Sequence, residues 1–237
     1  MGSPGLPQSV LHAADVSSLS QLVLLERESR DLGRWSRMRA CYHPGSRVRL
    51  SWFSGTGDEF VDASIEMARR GLQAQHRMGP PLVRIKAGRA VASASAIIDI
   101  PEKLGNTEVR LQSYALFLYR VEKREGRWGI MYFDAIYLHD ELTSDIPGVP
   151  VPAVIEDLTQ FRASYRMLSY MLSRKGYKAS LPGSISRRPS RRSTPKSIPG
   201  PTSTLSTYVQ TATVAIRMIA GSGGGRTART YPGFMHA

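Results

Sequence analysis

Two side chains carry the chemistry that this sequence offers. Asp31 closes a stretch of helical leucine spacing, and His76 stands just before Pro80-Pro81, ahead of a long run of strand patterns. A histidine titrates near neutral pH, so it can both take and give a proton; a carboxylate beside it orients the ring and holds one tautomer. Brought together, the two would form a general acid/base pair. Asp31 could instead act as the base itself if an apolar pocket raised its pKa. Each also has a plain alternative. His76 could be a loop histidine bonded to backbone, and Asp31 an exposed helix-end charge beside Arg30 and Arg34. Trp52, Tyr114 and Tyr132 could stack on a substrate or donate hydrogen bonds to a developing enolate, or simply pack in a core. Gln112 and Ser113 are further candidates, but they fall on opposite faces of one strand, so at most one points inward.

Other chemistries find less support. The chain has one cysteine, Cys41, which excludes an intramolecular disulfide and a cysteine metal cluster. His139-Asp140-Glu141 and His43 do not make a metal site, because consecutive residues at a strand end point to different sides and no second cluster completes the coordination. No metal is expected.

The elements that must position Asp31 and His76 can be read from periodicity. Leu19, Leu22 and Leu25, then Trp35 and Met38, predict a helix over 17–31 and a second one through Arg39, broken at Gly33. Residues 1–15 read as a flexible lead-in. Val48, Leu50 and Trp52 alternate with polar residues as in a half-buried strand. Thr56-Gly57-Asp58-Glu59 is a capping box, and the helix that it opens places Phe60, Val61, Ile65, Ala68 and Leu72 on one face and ends near Gly71. After His76, four strand patterns follow, joined by the turns KAGR and KREGR. Hairpin-linked strands imply a curved antiparallel sheet, with helices on one face: an α+β fold over residues 16–148. Val154, Leu158, Phe161, Tyr165, Leu168 and Leu172 then predict one helix within a C-terminal extension, 149–183.

The formal net charge of +13 does not describe the folded part. All 19 acidic residues lie at or before Asp157, whereas 13 of the 32 Lys and Arg lie beyond it. Residues 184–237 read as a low-complexity, disordered basic tail. No aromatics interleave with the arginines of its SRRPSRRSTPK run, so nucleic acid is not an expected partner. The start, MGSPGLPQSV, has no basic region followed by an apolar core, and no segment approaches a membrane span. The expectation is a cytoplasmic protein without a membrane partner.

Asp31…Trp35, Cys41-Tyr42-His43-Pro44, Ser51-Trp52-Phe53-Ser54-Gly55, Glu59-Phe60, Gln75-His76-Arg77-Met78-Gly79, Gly88-Arg89-Ala90-Val91 and Phe117-Leu118-Tyr119-Arg120…Gly126-Arg127-Trp128 together resemble the SnoaL-like proteins, within the superfamily of nuclear transport factor two and ketosteroid isomerase. The resemblance covers about residues 17–182. It implies a cone-shaped α+β barrel whose open end leads to an apolar pocket, cofactor-free proton transfer next to a carbonyl, and a homo-oligomer, dimer or trimer. Within the family, scytalone dehydratases have the most similar spacing. Asp31, His76 and Ser113 match their pocket residues. Their second histidine would fall near Pro101, their pocket tyrosines at Arg30 and Trp52, and their pocket asparagine at Ala115. The resemblance therefore implies a shared pocket more than a shared reaction. It suggests a dehydratase, isomerase or cyclase of secondary metabolism acting on a polyketide- or terpenoid-derived small molecule. The alternative is a non-catalytic binding or dimerisation module on the same fold.

Overall fold

The computed structural model describes residues 7–72, 74–152 and 158–177. The basic tail and most of the C-terminal extension's ends lie outside the described residues. The chain runs α1 (Gln8–Asp31), α2 (Trp35–Ala40), β1 (Tyr42–Arg49), β2 (Ser54–Thr56), α3 (Gly57–Arg69), β3 (Gln75–Met78), β4 (Leu82–Lys86), β5 (Arg89–Leu104), β6 (Thr107–Arg124), β7 (Arg127–Ser144) and α4 (Arg166–Arg174). Among the described residues no helix is long and apolar enough to cross a membrane.

The three long strands β5, β6 and β7 form an antiparallel meander through two-residue turns. Ala87-Gly88 and Glu125-Gly126 both have positive φ, the geometry of the tight hairpin turns expected at KAGR and KREGR. The sheet order is β2-β1-β7-β6-β5-β3, with β4 also on β5, so the sheet curves without closing. β1 joins β7 in parallel, which makes the sheet mixed rather than wholly antiparallel.

Two bulges in β7 bend this sheet. Opposite β6, the pairing skips Leu138 between Tyr137 and His139, and skips Met131 between Ile130 and Tyr132. An extra residue on one strand sharpens its twist and reverses the side-chain alternation beyond it. The concave face of β6 presents Leu111, Ser113, Ala115, Phe117 and Tyr119, all buried. Against it pack α1, α3 and α4.

Local signals explain the helices. Thr56 Oγ1 accepts from the Glu59 amide while Glu59 bonds back to the Thr56 amide, so the capping box forms as the sequence predicts. Gly71, at φ 72°, ends α3 in the left-handed region. α1 starts at Gln8 rather than near Ser17, so most of the expected lead-in is helical. The early turns are anchored by Asp15, which accepts from Trp128 Nε1 and Lys123 Nζ on the β6–β7 hairpin.

Of the single C-terminal helix expected over 154–172, residues 154–157 lie outside the described residues, and the rest is two short 3-10 turns, Leu158–Gln160 and Ala163–Tyr165, followed by α4. Arg162 is extended (ψ 132°) and interrupts the helix. The break lets Tyr165 pack on the Tyr137 ring, 4.9 Å between centroids. It also frees the first turn of α4 to meet Asp140, whose Oδ2 accepts from the Leu168 amide at 2.9 Å.

Candidate functional site

α1 begins with an apolar inner face, Leu19 and Val23, and continues the same stripe with Glu26, Arg27 and Arg30. Charged side chains thus occupy positions where helical spacing points into the core. Arg27 is fully buried and paired with its neighbour Glu26. Tyr42 Oη donates to Glu26 Oε1 at 2.8 Å. The Arg27 guanidinium lies between Phe60, Phe117 and Phe133, 4.8–5.8 Å from their ring centroids. Burial opposes its charge, but the surrounding groups, Glu26 foremost, more than offset burial and keep the guanidinium protonated.

Asp31, the last residue of α1, meets His76 on the edge strand β3. The His76 backbone N–H donates to Asp31 Oδ2 and its Nδ1–H donates to Oδ1, both at 2.6 Å. β3 is held in register on β5, His76 opposite Ile98, and Gly79-Pro80-Pro81 ends it. His76 is thus a strand residue rather than a loop residue. Because the carboxylate only accepts, the imidazole carries its proton on Nδ1 and leaves Nε2 as a free acceptor. Among the described residues Nε2 has no protein hydrogen-bond partner. Burial, with the positive charges of Arg27 and Arg30, pushes the His76 pKa down to about 4 against the pull of Asp31. For Asp31, burial opposes ionisation, but the His76 ring and amide and then Arg30 hold its pKa below the usual carboxylate value.

His76 stands on the wall of a small apolar cavity that opens to solvent. α1 contributes Arg27 and Arg30, the sheet Ile98, Phe117 and Tyr137, and α4 Leu168 and Leu172. Trp52 lies on this wall too, its ring against Phe60 and Tyr177. Asp31 sits behind the histidine and faces a second depression between α1 and α3. The arrangement suits proton transfer: a neutral acceptor nitrogen at an apolar wall, its ring fixed from behind by a carboxylate, with two guanidiniums to stabilise developing negative charge. Among the described residues no group of three or more His, Cys, Asp or Glu is placed to hold a metal ion.

The other sequence candidates divide by strand face. Ser113 is on the concave face, but its hydroxyl donates to Asp140 and both are part of the clamp on α4. Tyr114 and Gln112 lie on the convex face, one residue out of phase with Ser113 and Ala115. Tyr114 stacks on His139, 4.2 Å between centroids, and bonds Glu141. Tyr132 also lies on the convex face, under the Arg120 guanidinium, because the bulge at Met131 inverts the alternation between Ile130 and Tyr132. These three residues do not line the cavity. Arg27 and Tyr137 are polar lining residues that sequence reasoning missed, and Arg30 lines the cavity at the position where the resemblance put a pocket tyrosine. The charged pair interrupting the Leu19–Val23 stripe was the available signal for the arginines.

The SnoaL-like domain family model matches residues 12–134. Pea pathogenicity protein 2 of Fusarium vanettenii is 27% identical over 147 residues, covering 60% of this chain; the chain spans about 62% of that curated relative's length. In structure, the hexachlorocyclohexane dehydrochlorinase LinA-type3 of Novosphingobium barchaimii superposes with a TM-score of 0.52 at 11% identity, over 61% of this chain and all of its own. A putative scytalone dehydratase of Novosphingobium aromaticivorans gives 0.49 at 10% identity, covering 61% of this chain and 100% of that one.

Proposed function

Because the chain belongs to the SnoaL-like domain family, we propose that it is a cofactor-independent enzyme that dehydrates, isomerises or cyclises a polyketide- or terpenoid-derived carbonyl compound. The observation that carries this reading is the doubly hydrogen-bonded Asp31–His76 pair on the wall of an apolar cavity.

Neutral His76 removes a proton from the carbon beside the carbonyl through Nε2. The electron pair of the broken C–H bond moves onto the carbonyl oxygen as an enolate. Arg27 and Arg30 supply positive charge on the same wall, where low polarity strengthens their effect. Asp31 stabilises the imidazolium that forms and stays ionised itself. His76 then returns the proton. Given to a departing hydroxyl, it completes a dehydration; given to another carbon, an isomerisation. A low histidine pKa makes Nε2 a weak base, and that cost is offset by its being unprotonated at neutral pH.

The test needs no complete substrate. Carbonyl compounds with acidic α-hydrogens are incubated with the protein in D2O, and α-deuteration is followed by NMR. Wild type catalyses exchange, His76→Ala abolishes it, and Asp31→Asn slows it by on the order of 10²–10⁴-fold through loss of tautomer and orientation. Exchange by His76→Ala at the wild-type rate would sink the mechanism.

A further inference from the structure

Alongside the proton-transfer pair, one charged group on α1 has no carboxylate within hydrogen-bonding range. Arg27 is taken up by Glu26, and both oxygens of Asp31 are occupied by His76. Arg30 has no such partner. Its side chain is only 9% exposed and reaches Asp31 Oδ1 no closer than 3.9 Å, beyond hydrogen-bonding range. Its Nη2 donates to the Met67 thioether at 3.4 Å, a weak acceptor, and its guanidinium lies over Trp52, 5.9 Å from the ring centroid. Nε is buried with no acceptor among the described residues.

A buried guanidinium that lacks oxygen acceptors is costly, and buried polar groups are paired as a rule. Burial, then the like charge of Arg27, lowers the Arg30 pKa to about 10, which still leaves it protonated at neutral pH. The cavity wall that Arg30 shares with His76 holds two arginines, a histidine and Tyr137 and no carboxylate, and is otherwise apolar. No acidic side chain there competes for an incoming anion. The planar fork of an arginine matches a carboxylate with two parallel hydrogen bonds.

We propose that Arg30 anchors a carboxylate on the ligand, so that the cavity takes an apolar carbonyl compound bearing one acid group. This rests on the acid/base reading of the same cavity for its carbonyl, but the anchoring itself does not require turnover. The carboxylate seats against Arg30 between Trp52 and Met67, and the apolar body lies along Phe117 and Ile98 toward His76.

The full chain is titrated by calorimetry with benzoate and with benzamide, its neutral isostere. Wild type is expected to bind benzoate about tenfold more tightly or better, the ratio that one charge-assisted hydrogen bond supports. Arg30→Met removes the preference and Arg30→Lys, which keeps the charge without the fork, retains part of it; melting curves establish that each variant is folded. His76→Ala keeps the preference, which separates anchoring from catalysis. Equal affinity of wild type for the two probes, absence of benzoate binding, or an undiminished preference in folded Arg30→Met overturns the proposal. Loss of α-proton exchange alone, with the preference intact, counts against the acid/base reading and leaves the anchor standing.

Discussion

Arg30 and Asp31 are neighbours in the chain and do opposite things. Asp31 places a negative charge at the C-terminal end of α1, where the helix macrodipole disfavours it. Two hydrogen bonds from His76 compensate, so the local rule is broken in favour of a geometry that serves the ring. The same pair makes stability depend on pH with a definite sign. His76 titrates at about 4 when folded against 6.5 ordinarily, so the unfolded chain binds the extra proton between those values. Its contribution is fully present above pH 6.5 and is lost as pH falls through the folded value. The span corresponds to on the order of 3 kcal/mol as an upper figure. Denaturant midpoints measured from pH 4 to 7 are expected to rise with pH in wild type and to flatten in that window in His76→Phe. Asp31, with its depressed pKa, contributes only to losses at still lower pH.

At the scale of elements, β7 decides more than its sequence discloses. Without the bulge at Leu138, strict alternation from Tyr137 would turn His139 inward; with it, Asp140 turns in, meets Ser113 and receives the Leu168 amide of α4. α4 has no side-chain cap of its own, and Asp140 supplies one from the sheet. Asp140→Ala is therefore expected to lower stability by about 1–2 kcal/mol, read in chemical denaturation, and to loosen the wall formed by Leu168 and Leu172. Thr56→Ala, at a cap that closes on itself within α3, is expected to cost about 1 kcal/mol without altering benzoate binding. The capping box was legible because all its partners lie within four residues. The bulges were not, because an unpaired residue is defined only by the strand opposite it.

The molecule's core lies between the concave face of the sheet and α1, α3 and α4. The described residues all belong to one compact unit. A chain ending at Ser186 is expected to melt with the full chain's midpoint and to retain its benzoate affinity; a drop in either would mean that the basic segment takes part in the fold or the site. Periodicity and short-range spacing determined the α+β class, the hairpins and α3 with its cap, while side-chain chemistry and the family resemblance gave Asp31 and His76 their candidacy. Tertiary structure decided the rest. The contact of Asp31 with His76 depends on how α1 crosses β3. The position of Tyr132 outside the cavity depends on one bulge, and the burial of Arg30 on Trp52 and Met67 closing over it. Sequence names residues that could act on one another; only the packing of distant segments sets which of them share a wall, and which buried charge is left without a hydrogen-bonding oxygen.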